Sequence, residues 1–384
     1  MTTYFRARTT AVVLAGALML TGCGGGGGGG GGLTSGGPSA PSTPQSATPS
    51  ITSQAALNSA VIVKLASSET GAVIYYTVDG TTPTTASQVY QAPFLAAGTT
   101  TVKAMAVTPG ATASTVQSST VSSSIASNTL VWADEFSNST GAAIAPDSNT
   151  WGYDTGNSGF GNHELENYCA WGATSGGCDT ANPNAYVGTD GMLHVVARKP
   201  SAGVYTSARL KSQGRFSFQY GRLEFRARVP EAQGLWPAVW TLGNSIATVN
   251  WPASGEQDIL ERVNAPLTPD VNFGSVHGTG FTGTNIGATY SFPSGTTAAD
   301  WHVYGMIWKP GSVAYYIDNP AAPYATFKTA DIAGFAGSVW PFDNGQSNFL
   351  LINLAVGGDW PGAPDGTTPF PSQMDVDYIR LYTN

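Results

Sequence analysis

From residue 130 to 384, short segments with strand character follow one another with almost no helical pattern between them. They cover residues 192–197, 214–218, 221–229, 238–242, 256–263, 301–308, 313–317, 349–356 and 376–382. The run RLEFRARV, Arg222 to Val229, alternates polar and apolar residues. That period of two fits a strand with one wet and one buried face. About 255 residues of this kind predict an all-β domain of two large packed sheets. The 48 glycines and 41 aromatic residues (10 Trp, 16 Tyr, 15 Phe) agree with many turns and an aromatic-rich interior. The formal charge is -8 and no Lys/Arg cluster appears, so binding nucleic acid by neutralising phosphates is excluded. A chain poor in charge and rich in aromatics suits a neutral partner covered in hydroxyls.

The first 127 residues are organised differently. Arg6 and Arg8 precede an apolar stretch, residues 11–20, that is too short to span a bilayer as a mature helix. The stretch ends in LTGC, which resembles a bacterial lipoprotein signal: residues 1–22 would be removed and Cys23 lipidated. An ordinary secretory signal is the alternative, and both readings predict export, to a membrane surface or to the periplasm or medium. Gly24 to Gly32 is unbroken glycine, and with the Ser/Thr/Pro stretch after it forms an expected flexible tether, 23–50. Residues 51–127 carry short Val/Ile/Tyr/Thr runs, 72–78 and 99–107 among them, and read as a small β-sandwich. The string IYYTVDGTTP from Ile74 to Pro83, with Tyr90 and Pro93, resembles the immunoglobulin-like module at the C-terminus of chitobiases and β-hexosaminidases. A spacer role is favoured over sugar binding, because a sandwich alone implies no activity. Cys169 and Cys178 lie in a loop-like stretch without a C-x-x-C pattern or a histidine cluster; in an oxidising compartment a short disulfide is expected.

The densest group of carboxylates in the chain is GEQDILE, residues 255–261. On a strand Glu256 and Asp258 share a face, whereas Glu261, five positions from Glu256, points away. One extra residue at Ile259–Leu260, a β-bulge, would return it to the same face. Like charges side by side on a strand repel, so a purely structural design would avoid them. Paired carboxyls with a third to tune them suit acid-base and nucleophilic work on a glycosidic bond. A solvated edge strand is the alternative reading of that spacing by itself.

The rest of residues 128–384 carries a resemblance along its whole length. VWADEF (131–136), YTSARLKS (205–212), FSFQYGR (216–222), GLWPAVW (234–240), WPASGEQDILE (251–261), AVGGDWPG (355–362) and DVDYIRLY (375–382) occur in the order found in glycoside hydrolase family 16. The domain resembles its endo-β-1,3-glucanases, the laminarinases. The resemblance implies a β-jelly-roll sandwich and hydrolysis with retention. It casts Glu256 as nucleophile, Glu261 as acid and then base, and Asp258 as the group that tunes both. Asn162, Arg209, Trp236, Trp240, His277 and Trp360 fall on positions implied to meet sugar. Asp377, with backbone carbonyls near Glu135 and Gly191, is implied to hold a structural calcium ion; no cofactor is expected for catalysis.

Two departures touch the substrate: Phe160 stands where many laminarinases have tryptophan, and Gln257 where an aliphatic residue is usual. The bulged spacing also occurs in enzymes acting on algal galactans, while lichenases carry the shorter form. A β-1,3-glucan is thus the expected partner, with another β-glucan or a galactan as the alternative. A non-catalytic glucan-binding protein on the same fold is a third reading, and the intact carboxylates argue against it. Nothing in the chain demands more than a monomer.

Overall fold

The computed structural model describes residues 43–384 except 267, 269, 284 and 285. The signal-like segment, Cys23 and the glycine run lie outside the described residues. Among those described, a small sandwich comes first. Three strands (Ser50–Ala55, Val61–Ala66, Phe94–Ala96) face four (Gln88–Val89, Val73–Thr77, Thr100–Val107, Gln117–Val121). Their inner residues, including Val63, Ile74, Tyr76, Phe94 and Val102, make one apolar cluster. The tether of the sequence reading ends earlier than residue 50. Ser46 is buried, its N–H donates to Thr112 O at 2.9 Å and its hydroxyl to the same oxygen at 2.8 Å. Composition placed it in the linker because a Ser/Pro stretch can equally well run along the side of a sheet.

The large domain is a jelly-roll sandwich of two sheets. One runs Glu166–Tyr168, Val204–Ser207, Leu193–Ser201, Ser372–Tyr382, Gly221–Arg228, His302–Lys309, Ser312–Ile317, Ala325–Lys328. Ala185–Val187 and Leu130–Asp134 pair beside Leu193–Ser201 and Ser372–Tyr382. The other sheet has seven strands in the order Gly287–Ser291, Val271–His277, Glu256–Glu261, Leu235–Gly243, Asn348–Val356, Arg209–Lys211, Gly152–Asp154. The core lies between them: Leu223, Phe225, Met306 and Trp308 of the first sheet share one cluster with Leu210, Val239, Leu260 and Ile352 of the second. Leu223, Phe225 and Ala227 are fully buried while Glu224 and Arg226 between them are not, as the period-two pattern requires.

Residues 214–218, expected as a strand, form a turn and an irregular stretch with a single bridge, Phe218 to Asn348. Phe216 and Phe218 are buried all the same, with Phe216 stacked on Trp132 at 4.1 Å. Two apolar residues spaced by one can seal a core without a ladder, and that short pattern carries no more information.

Cys169 and Cys178 are joined by a disulfide across nine positions of sequence. Closing so short a loop restricts the unfolded chain, worth about 2–3 kcal/mol. Cys178→Ser should therefore lower the Tm by several degrees, measured by calorimetry against wild type under oxidising conditions. An equal Tm would show that the bond contributes no stability.

Candidate active site

The strand Glu256–Glu261 is third from one edge of the seven-stranded sheet. Against its neighbour, Ala238 pairs with Glu261 and Val239 with Leu260, but Trp240 pairs with Asp258. Ile259 is the extra residue. Ile259 and Leu260 are 2% and 0% exposed, so two consecutive apolar side chains are both taken into the core. A regular strand would leave one of them on the open face, and burying both is what makes the bulge.

The register then sets out the open face in rows. Asp154, Arg209, Asn353, Ala238, Glu261 and Phe273 form one. Lys211, Leu351, Trp240, Asp258 and Ser275 form the next, and Phe349, Leu242, Glu256 and His277 the third. All three carboxylates therefore stand on one face, away from the core. Gln257 faces the other way and is wholly buried, its Oε1 accepting from Thr241 Oγ1 at 2.8 Å and Asn348 Nδ2 at 3.1 Å.

Each carboxylate has its own partners. Asp258 Oδ2 accepts from Ser275 Oγ at 2.6 Å and from His277 Nε2 at 2.8 Å. His277 Nε2 is also 3.6 Å from Glu256 Oε1. Glu256 Oε2 accepts from the indole of Trp251 at 3.1 Å, and Glu261 Oε1 from that of Trp236 at 3.2 Å. The Glu261 backbone N–H donates to Asn272 Oδ1 at 3.2 Å, and Asn272 Nδ2 donates to Ile259 O at 3.0 Å, which pins the bulge.

These surroundings separate the two glutamates. Burial, then the charge of Asp258, pushes Glu256 up to about 8, against the pull of His277, Arg209 and Trp251 towards the ionised form. Glu261 is pushed well above the ordinary range by burial, then by Asp258 and Glu256, and only the Trp236 indole opposes this. For His277 burial opposes protonation, but the charge and hydrogen bond of Asp258, with the charge of Glu256, outweigh it and carry the imidazole to about 9. At neutral pH the site thus holds an imidazolium between Asp258 and Glu256, and an acid that keeps its proton at Glu261. Donor atoms of Glu256, Asp258 and His277 lie within 4.8 Å of one another, close enough for a metal ion. The imidazolium supplies the positive charge there.

The expected sugar contacts are brought to the same face. Trp240 lies opposite Asp258, with the Arg209 guanidinium 4.8 Å from its ring centre. Arg209 also pairs with Asp154 at 3.1 Å and lies 5.1 Å from the Phe160 ring, so Phe160 keeps an aromatic platform at its position. Trp360, 45% exposed, meets Trp236 and Phe273 edge-on at 5.5 and 4.8 Å. Asn162 is tied to the Trp360 loop through its carbonyl, which accepts from Asp359 N at 2.8 Å. Gly358 has φ 118°, and a Cβ there would lie 3.0 Å from Asn162 O, so the close approach of the two loops requires glycine. Away from this face, Asp377 pairs with Arg226 at 2.7 Å and Glu135 with Arg380 at 2.7 Å, and Gly191 sits in a turn with φ 73°.

Two functional side chains escaped the sequence reading. Trp251 enters the sequence analysis only as the first residue of the WPASGEQDILE string, yet it is half exposed and holds Glu256. Ser275 holds Asp258. Its spacing of two from His277, on a strand that must alternate, was the available signal.

The glycosyl hydrolases family 16 profile matches residues 176–380, and that of the chitobiase/beta-hexosaminidase C-terminal domain matches residues 52–119. A beta-glucanase of Rhodothermus marinus is 39% identical over 264 residues, covering 66% of this chain and 84% of that protein. The catalytic domain of an endo-1,3-beta-glucanase (laminarinase) from Thermotoga petrophila is 36% identical with a TM-score of 0.58, over 68% of this chain and 99% of that one. A keratan-sulfate endo-1,4-beta-galactosidase of Sphingobacterium multivorum is 32% identical over 66% of this chain and 54% of its own length.

Proposed function

The chain belongs to family 16 of the glycosyl hydrolases, and from that premise we propose that it is a retaining endo-hydrolase of β-1,3-glucan of the laminarin type. The observation that carries this reading is the bulged strand, which gathers Glu256, Asp258 and Glu261 on one face in unequal electrostatic surroundings. In the first step the ionised form of Glu256, a minor fraction at neutral pH that grows as pH rises towards about 8, attacks the anomeric carbon while Glu261 passes its proton to the departing oxygen, and the glycosidic bond breaks. The ester so formed has no charge at Glu256. One of the negative charges that held the Glu261 proton is then gone, and Glu261 becomes a competent base. In the second step it takes a proton from water, the hydroxyl adds to the anomeric carbon, and Glu256 leaves as a carboxylate. Asp258 is held by Ser275 and His277 throughout.

Reducing-sugar release from laminarin, lichenan, agarose and xyloglucan tests the substrate, using soluble protein that begins after the glycine run. Cleavage of laminarin, with the product's anomer read by NMR at early times, is the expected result. Turnover of a galactan alone would keep the chemistry and replace the substrate; similarity to a galactosidase makes that the second reading. Silence on all four in the wild-type protein would favour a glucan-binding role.

Export with a lipid anchor at Cys23 belongs to the same proposal, and labelled fatty acid incorporated by wild type but not by Cys23→Ala tests it. So does structural calcium: the carbonyls of Glu135 and Gly191 would join Asp377, which the ion would share with Arg226. A Tm lowered by chelator and restored by Ca²⁺ is expected; an unchanged Tm removes calcium from the account.

A further inference from the structure

Beside the open face lies a second pair of carboxylates, outside the catalytic trio. Glu166 is completely buried and Glu164 is 7% exposed. Both oxygens of Glu164 accept hydrogen bonds: Oε1 from Asn162 Nδ2 at 3.1 Å and Oε2 from the Tyr168 hydroxyl at 2.8 Å. The Tyr168 oxygen accepts from Asn353 Nδ2 at 3.2 Å, and Asn353 Oδ1 accepts from the Trp240 indole N–H at 2.8 Å. Four hydrogen bonds in series therefore join Asn162 to Trp240, the residue opposite Asp258. Phe160 packs edge-on against Tyr168 at 4.9 Å, so the Arg209 platform rests on the same chain of contacts.

The directions of the three bonds from Trp240 to Glu164 are forced. An indole N–H can only donate, so Asn353 must turn its carbonyl to Trp240 and its NH₂ to Tyr168. The tyrosine proton must then go to Glu164. The NH₂ of Asn162 faces the other oxygen at 3.1 Å, and in this arrangement Glu164 accepts at both oxygens and donates at neither. A carboxylate meets that demand, and an amide cannot. Glu166 is not a link of the series but borders it: its Oε2 accepts from Val356 N at 2.7 Å, and its carboxyl also meets that of Glu164. Burial, then the charge of Glu164, raises its carboxyl well above the ordinary range, so it keeps its proton.

We propose that Glu164 is a positioning residue of the glucan site, a double acceptor that sets the amide of Asn162 and, through Tyr168 and Asn353, the indole of Trp240. This rests on the glucan reading above. Glu164 acts on how sugar rings are held and not on bond cleavage, because Glu256, Asp258 and Glu261 have separate partners in Trp251, Ser275, His277 and Trp236.

Glu164→Gln and Glu166→Gln, made in the full chain, separate this role from the generic cost of altering a buried acid. In Glu164→Gln one acceptor becomes a donor and the series breaks. KM for laminarin-derived oligosaccharides should rise about tenfold or more, the scale of one lost charge-assisted hydrogen bond, with kcat within about threefold. The indole ¹H–¹⁵N resonance of Trp240, assigned by its absence in Trp240→Phe, should shift. Glu166→Gln mimics the protonated acid and should leave KM and the resonance unchanged. A wild-type KM and an unmoved resonance in Glu164→Gln overturn the proposal, as do equal losses in the two variants. Should the wild-type protein cleave no glucan, the glucan reading fails, and the resonance alone still decides whether Glu164 orients Trp240.

Discussion

Glu256→Ala and Glu261→Ala each abolish practical turnover of laminarin, but for different reasons that kinetics can separate. Glu256→Ala removes the proposed nucleophile, and a loss of at least about 10⁴-fold in kcat is expected. Glu261→Ala removes the proposed proton donor, a contribution of about 10²–10⁴-fold. That second loss should shrink on an activated aryl glucoside, whose leaving group needs no proton, while the first should persist there. Asp258→Ala keeps both reacting groups, and measurable activity should remain. It also removes the partner that keeps His277 charged and the largest neighbouring charge on Glu261, so its pH profile should move to lower pH. Full activity in either glutamate variant would remove the assignment outright.

The same cluster makes the fold most stable on the acid side of neutrality. Glu256 rises from an ordinary 4.5 to about 8, Glu261 is raised well above 4.5, and His277 rises from 6.5 to about 9. All three values are higher in the folded chain, so between about pH 4.5 and 9 it binds more protons than the unfolded chain. The stability they contribute is fully present below the unfolded values and is lost as pH rises through the folded ones. Asp375, lowered in spite of burial by its bonds to His194, Arg228 and Gln373, works in the opposite sense and loses its contribution only as pH falls below the usual carboxylate range. The Tm should therefore be highest near pH 5 and fall towards pH 9. Glu261→Gln is neutral at every pH, so folding no longer has to take up a proton at this position. It should flatten the slope and raise the Tm at pH 8 by more than about 2–4 °C, the equivalent of ~1 kcal/mol in a domain this large. A variant that is inactive yet more stable than wild type also shows that lost turnover is not lost folding. A Tm independent of pH across this window, or a less stable Glu261→Gln, would contradict the electrostatic account of the site.

Much of the site was legible because strand chemistry is local. A period of two tells which residues share a face, and the odd offset of Glu261, set against the apolar pair Ile259–Leu260, called for one inserted residue at the place where the register shows it. The strand Val271–His277 was not legible. Its Asn272 and Gly274 have low strand propensity, and its open-face residues, Phe273, Ser275 and His277, show no simple polar alternation. With that strand went Ser275, which holds Asp258. Glu164 and Glu166 were hidden for a related reason. The three-residue strand Glu166–Tyr168 and the stretch just before it, which carries Glu164, bury charged residues that a linear reading assigns to solvent.

The sequence by itself determined the all-β class, the two-part division of the chain and the single face that carries the three carboxylates. Each follows from composition or from spacing along one segment. Only the tertiary structure decided what each carboxylate meets. Glu256 and Glu261 are five positions apart on one strand, yet Trp251, His277 and Arg209 surround the first and Trp236 the second. Except for Trp251, these neighbours come from other strands, and the strength of a charge in a poorly solvated site depends on what lies within a few ångströms in space, whatever its distance along the chain.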